Sequence, residues 1–221
     1  MNRFSKVFLL LIVVLNMFAC ANQEKAINRK VKILEEEAGL AIKTQNYALA
    51  EDKLEAILEL SPDQEHIKNN LAVLSAQYLN KQEKAIRIWE EILEKNPRNA
   101  AYYNNIAGLY WQMGQLDKAL KTYQDATKHH PTYHMPYYNM AQIYLEQKDF
   151  PSAEKAAAKG YGVANTDTRM IYVYARTLLY NDKFAESTRI LQEARNRNPK
   201  TPMVNLMLSR MYLSVDKYDE A

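Results

Sequence analysis

A chain of 221 residues that is 48% hydrophobic and 25% charged has the apolar content for one sizeable folded domain. Its formal charge of +3 falls to about +1 once Arg3 and Lys6 of the N-terminal segment are set aside, and the other basic residues are scattered rather than run together, which leaves no electrostatic case for nucleic acid as a partner. The single cysteine, Cys20, excludes a disulfide within the chain.

The first element in chain order reads as an export signal. Arg3 and Lys6 precede an apolar run from Val7 to Leu15, extended past Asn16 to Phe18, and then come Ala19 and Cys20. At roughly 12 residues the run is short of the ~20 that cross a bilayer as a helix, so cleavage is expected rather than a permanent span. The stretch Met17-Phe18-Ala19-Cys20 resembles a bacterial lipobox, departing from the usual pattern at Met17 and Phe18. The resemblance implies that residues 1–19 are a lipoprotein signal peptide and that Cys20 is the lipid-modified first residue of the mature protein. It also makes residues 20–30 a lipid anchor and tether, reaching at most about 35 Å from the membrane. Ala21, rather than Asp, after the cysteine implies the outer membrane of a double-membraned bacterium, facing the periplasm. Ordinary cleavage after Ala21, at the small-x-small site Ala19-Cys20-Ala21, and an uncleaved anchor are the alternatives.

Beyond Val31 a small residue recurs at a fixed interval: Ala50, Ala85, Ala119, Ala153, Ser187 and Ala221 are separated by 35, 34, 34, 34 and 34 residues. Such a period marks stacked helical hairpins, with the small side chain where the two helices of a hairpin approach closely. The units run 31–64, 65–99, 100–133, 134–167 and 168–201, with a partial unit at 202–221, and the second is one residue longer than the others. In the third unit Tyr103, Ile106, Ala107 and Tyr110 fall at i, i+3, i+4 and i+7 on one helical face, and Leu116, Ala119, Tyr123 and Ala126 mark a second helix.

Turn chemistry follows the same period. Gly114 lies between two helices, where positive φ is easy only for glycine. Pro62, Pro97, Pro131 and Pro199 follow second helices they cannot continue, whereas Pro136, Pro151 and Pro202 fall in first turns, where the missing N–H costs nothing. In the fourth unit Ala153 to Lys159 is nearly all small residues and is followed by Gly160 and Gly162, so a short helix with closely packed neighbours is expected. Glu37, within the run Glu35-Glu36-Glu37, makes the first hairpin polar, as suits a terminal unit.

With these residues in place, the chain from Val31 to Ala221 resembles the tetratricopeptide repeat family, whose pattern the third unit matches through Tyr103, Ile106, Ala107, Tyr110, Leu116, Ala119, Tyr123, Ala126 and Pro131. The aromatic after the turn returns as Tyr47, Phe150, Phe184 and Tyr218. The resemblance implies an all-α, right-handed superhelical solenoid of helix-turn-helix repeats. It also implies a concave groove, lined by the first helices, that binds other proteins or peptides. Carried over position by position, the groove column is Asn69, Asn104, Trp111, Tyr138, Gln142, Tyr172, Arg176, Tyr180 and Arg210. Aromatic residues and arginine anchor interfaces through buried area and bidentate bonds. Arg176 and Arg210 hold the same position in successive units, about 10 Å apart, a spacing that an extended acidic segment could bridge. The Lys, Asn, Asn, Lys, Arg set with which some members clamp a terminal carboxylate is absent: the fifth positions read Glu35, Asn69, Asn104, Tyr138, Tyr172 and Leu206, and the ninth read Gly39, Val73, Gly108, Gln142, Arg176 and Arg210.

No enzymatic chemistry, cofactor or metal is expected. The chain has no Gly-rich phosphate loop, no paired-histidine zinc motif and no thiol besides Cys20, and His129, His130 and His134 sit together on a solvated inter-unit turn. The expected function is a lipid-anchored scaffold or adaptor of the cell envelope, resembling in layout the repeat lipoproteins of pilus assembly, outer-membrane protein insertion or cell-wall enzyme control. A self-associating structural array and a glycan binder are the alternatives. The last helix, expected from Pro202 to about Val215, carries Leu206, Leu208, Met211 and Tyr212 without a second helix to cover them. The expectation is that the reading frame continues beyond Ala221 or that a partner or a second copy covers this end.

Overall fold

The computed structural model describes the backbone of residues 3–218 and the side chains of residues 21–212. Among the described residues all regular structure is helical: α1 Arg3–Lys43, α2 Tyr47–Leu60, α3 Glu65–Gln77, α4 Gln82–Lys95, α5 Ala100–Gln112, α6 Leu116–His129, α7 Met135–Glu146, α8 Phe150–Val163, α9 Thr168–Tyr180, α10 Phe184–Arg197 and α11 Pro202–Tyr218. This is the helical-repeat solenoid class. The chain divides into two compact units, Met1–Ile92 and Leu93–Ala221. In the first, α1 packs on α2 and α2 on α3 around Leu34, Leu54, Ile57, Ile67 and Leu71. In the second, α5 to α11 share one core running from Ala107 and Tyr123 through Met140 and Met170 to Leu208 and Met211.

The recurring small residues occupy the helix crossings: Ala50, Ala85, Ala119, Ala153 and Ser187 are all 0% exposed. Ser187 is tolerated because its hydroxyl donates to the Ala175 carbonyl oxygen at 2.9 Å. Ala221 lies outside the described residues.

The hairpin turns share one backbone solution. Gly114 has φ +72°, and the equivalent turns place Gln45, Asn80, Lys148 and Asp182 at φ between 54° and 60°. In the turns after α1, α5, α7 and α9 the residue following this left-handed position donates its N–H five residues back, as from Asn46 to Ala41 and from Gln115 to Tyr110, capping the orphan carbonyls of the first helix. The second hairpin carries the extra residue of its unit here: four residues separate α3 from α4, and Lys81 N–H reaches six back to Ser75. Asn46, Asn99, Asp149 and Asp167 then cap the helices that follow, accepting from N–H groups of the first turn.

Residues 21–30 belong to α1, where they rise about 15 Å, within the expected reach of at most about 35 Å. Three expectations change. Helix α8 is not short: it has 14 residues, like α6 and α10, because alanine is the best helix former and Gly160 and Gly162 fall in its last turn. The close packing is present, however. A Cβ placed on Gly160 falls 2.5 Å from Met170 Sδ and 3.0 Å from Tyr137 Cβ, so the absent side chain is what lets α8 sit against α7 and α9. Helix α11 runs on to Tyr218. Its Leu208 and Met211, expected to be uncovered, are each 2% exposed because α9 and α10 cover that face; Leu206 and Tyr212 do stand exposed.

Charges in the first unit are organised by a buried acid that the repeat pattern did not single out. Glu51, 6% exposed, receives Lys81 at 2.6 Å and also Lys84, which in turn reaches Glu55. Burial alone would raise the Glu51 carboxyl, but the hydrogen bonds and charge of the two lysines outweigh it and hold the group below its ordinary value. Glu37 pairs with Lys53 at 2.6 Å and Glu35 with His66 at 3.3 Å, so the acidic run lies on a solvated face stitched to neighbouring helices.

Because the Glu51 value is lowered on folding, its stabilisation is fully present above about pH 4.3, the ordinary glutamate value, and is lost as pH falls through the folded value. Glu51→Gln should therefore lower stability by about 1 kcal/mol at pH 7. In urea titrations its curve should approach that of the parent as pH falls from the ordinary glutamate value through the lower folded value; a constant gap at all pH values would contradict this. For glycine, Gly160→Ala should destabilise, since overpacking costs about 1–3 kcal/mol against roughly 1 kcal/mol of helix propensity gained. Gly162→Ala, with nothing within 4 Å of its added Cβ, should be neutral to stabilising by about 0.5 kcal/mol. Paired thermal melts of the two variants check the contrast.

Candidate functional site

The column positions separate into side chains already occupied by the protein and side chains left for something else. In the first unit, Asn69 Oδ1 accepts from the indole N–H of Trp89 at 3.0 Å, and Trp89 is 3% exposed, so Asn69 holds a core tryptophan in place. In the second unit, Asn104 on α5 accepts from Asn139 of α7 at 2.8 Å. Trp111, also on α5, donates to Glu146 at the end of α7 at 3.0 Å. Gln142 donates to the Tyr138 hydroxyl one turn earlier on the same helix at 3.4 Å.

The remaining four come together. Tyr172, Arg176 and Tyr180 of α9 and Arg210 of α11 line one cleft of about 370 Å³ with Leu179, Phe184, Met207 and Met211. Helical spacing puts residues 172, 176 and 180 on one face of α9, and α11 packs beside α9 through Met207 and Met211, which are 7% and 2% exposed. Tyr180 is 48% exposed yet fixed in place: its ring stacks on Phe150 at 4.8 Å with an interplanar angle of 4°, and the Arg176 guanidinium lies over it at 5.6 Å. Asn181 braces this corner by donating to the carbonyl oxygens of Phe150 and Thr177, each at 2.9 Å. Among the described residues no carboxylate pairs with Arg176 or Arg210, whereas Lys183 pairs with Glu154 and Arg189 with Glu193.

Leu179, Phe184, Met207 and Met211 were not among the sequence candidates. Each sits on the apolar stripe of its helix; Phe184 is the recurring aromatic after the turn, and Met211 is among the residues expected to be uncovered on the last helix. A stripe residue that also floors a cleft carries no distinct sequence signal. A second cleft of about 290 Å³, between α6 and α8, is lined by Tyr137, Tyr144, Lys155 and Lys159 among others and contains no column residue.

The histidines are dispersed in role. His129 stacks on Tyr103 at 5.6 Å, and His134 Nε2 lies 3.6 Å from Asp167 Oδ2. Burial would raise the Asp167 carboxyl, but the Arg169 bond and the Met170 N–H hold it below its usual value, as befits the cap of α9. Among the described residues no cluster of three or more histidine, cysteine, aspartate or glutamate side chains is placed to hold a metal ion. Burial and Glu186, whose carboxylate accepts from the Tyr174 hydroxyl at 3.2 Å, push that phenol up to about 12. The Cys20 side chain and the apolar run before it lie outside the described side chains. Among the described residues no helix is long and apolar enough to cross a membrane.

Two tetratricopeptide repeat models match the chain, over residues 79–132 and 110–177. Solved structures agree in fold. A tetratricopeptide repeat protein from Parabacteroides merdae is 19% identical with a TM-score of 0.65, covering 87% of this chain and 76% of its own. The C-terminal part of a repeat-containing protein from Cytophaga hutchinsonii is 19% identical with a TM-score of 0.67, covering 82% and 71%. PilF of Pseudomonas aeruginosa is 16% identical with a TM-score of 0.62, covering 90% and 88%. Repeats of this kind generally mediate contacts between proteins and typically form non-catalytic scaffolds. Residues 79–177 are thus matched by tetratricopeptide repeat models, and the period of small buried residues and the shared turn geometry carry the same helical-hairpin repeat on either side of them.

Proposed function

We propose that this protein is an adaptor that holds a segment of another protein against the first-helix face of its second unit, at the cleft between α9 and α11. The observation that carries this reading is the convergence of Tyr172, Arg176, Tyr180 and Arg210 on one cleft whose arginines have no acid partner among the described residues. Aromatic rings and guanidinium groups bury large contact area at modest entropic cost, and here stacking on Phe150 has already ordered Tyr180. The rest of the proposal concerns location. Lipidation at Cys20 would tie the chain to a bacterial envelope membrane, the outer one facing the periplasm, and the lipobox-like Met17-Phe18-Ala19-Cys20 supports it. A second reading, self-association through α11, is favoured by exposed Met203, Leu206 and Tyr212.

Replacing Cys20 with Ala should leave the precursor unprocessed or release the protein from membranes, because anchoring by two acyl chains is stable where one is marginal. Unchanged processing and membrane association, read by fractionation and intact mass, would remove the lipoprotein assignment. For the cleft, Tyr172→Ala combined with Arg176→Ala should preserve the helical melt while reducing recovery of the proteins that co-purify with the tagged chain from membranes by at least tenfold. Undiminished recovery would show that another face binds. Light scattering separates the second reading, since a monomer at micromolar concentration rules out self-association.

A further inference from the structure

On α1 the charges are sorted by face, and we infer that its outward face is a docking surface for the headgroups of an anionic phospholipid bilayer. This rests on the reading of the chain as membrane-anchored and adds the part of the fold that lies on the membrane. Val31, Leu34, Ala38 and Ala41 turn inward to the core of the first unit. Helical spacing sets Lys25, Arg29, Lys32, Ile33, Glu36 and Leu40 on the side away from that core, and all six are exposed. The three cations have no ion pair among the described residues, whereas the acids beside them are drawn off this face: Glu35 reaches His66 at 3.3 Å and Glu37 reaches Lys53 at 2.6 Å. Glu36 is the one acid left among the six. Between the charges stand Ile33 at 50% exposure and Leu40 at 63%, the latter the most exposed of the large apolar side chains described. A bilayer interface takes cations at the headgroup level and apolar side chains just beneath it, so a single surface satisfies both parts of the face. Continuity points to the same occupant. Helix α1 begins within the apolar run Val7 to Phe18, so whether that run stays or acyl chains on Cys20 replace it, Lys25 follows within about 8 Å of helix. From Lys25 to Leu40 the face then runs for about 22 Å along the surface.

The test uses the full chain carrying Cys20→Ala, so that no lipid is attached, reconstituted into vesicles of phosphatidylcholine alone or of phosphatidylcholine and phosphatidylglycerol in equal parts. The apolar run holds the chain on both kinds of vesicle, and the readout is whether the face touches the bilayer. An environment-sensitive NBD fluorophore is placed on I33C, on L40C or, as a control, on I42C, a position 41% exposed on another flank of α1. At 33 and 40 the emission should rise about threefold in the anionic vesicles and be quenched by nitroxide-labelled lipid, with no rise in phosphatidylcholine and none at 42. Added salt should shrink the rise. K25E/R29E/K32E should abolish it at an unchanged melting temperature and regain it in vesicles containing a cationic lipid, a gain that misfolding cannot mimic. Equal emission in the two kinds of vesicle, an equal rise at 42, or K25E/R29E/K32E behaving as the parent overturns the inference. So does the same rise without vesicles, on adding polyglutamate or on raising the chain concentration, which assigns the face to an acidic protein or to a second copy. Each of these outcomes leaves the fractionation result for Cys20→Ala standing, so the docking surface and the anchor fail separately.

Discussion

Everything in this array hangs on how closely two helices of one hairpin can approach. At each crossing the chain places a side chain no larger than serine, and each is fully excluded from solvent: Ala50, Ala85, Ala119, Ala153 and Ser187. A larger group there would hold the helices apart along their length, because ridges and grooves mesh only near an interaxial distance of about 8–10 Å. A repeat array has no central core to absorb such an error; its stability is a sum over neighbour interfaces, so a misfit hairpin also misplaces the one that follows.

The turn is the second half of that constraint. A hairpin whose helices meet at a small residue must reverse direction within a few residues, and the chain does so by placing one residue in the left-handed region at 45, 80, 114, 148 and 182. The strain at the four non-glycine positions is offset by backbone hydrogen bonds that cap the preceding helix. The second hairpin accommodates an inserted residue by lengthening this turn, leaving Ala85 at its crossing. The fourth departs differently: Gly160 stands where Ala126 and Ala194 stand in the units on either side, and Met170 fills the space.

The two units treat charge in opposite ways. Glu51 is buried and has two lysines beside it, one of them shared with Glu55, as a charge withdrawn from water requires. Arg176 and Arg210 line a cleft and have no ion pair among the described residues, while the Tyr180 ring beside Arg176 stacks on Phe150.

The sequence by itself determined the repeat period, the proline and glycine punctuation and the helical-hairpin unit. These follow from local rules: a small residue where helices cross, proline where no N–H is needed, a hydrophobic face every 3.6 residues. It also put Tyr172, Arg176, Tyr180 and Arg210 in one column, because equivalent positions in a repeat share a face. Only the tertiary structure decided the rest. Gln45 and Lys148 carry no signature of positive φ, which the turn imposes on them. Asn69 and Asn104 stand at groove positions and also accept from Trp89 and Asn139, partners that a position rule cannot see. Glu51 reads as a surface acid until α4 brings Lys84 to it, and Leu208 and Met211 read as uncovered until α9 and α10 close over them. Periodicity is a property of neighbours along the chain, whereas burial and pairing belong to neighbours in space, and only the packing of one hairpin on the next makes those known.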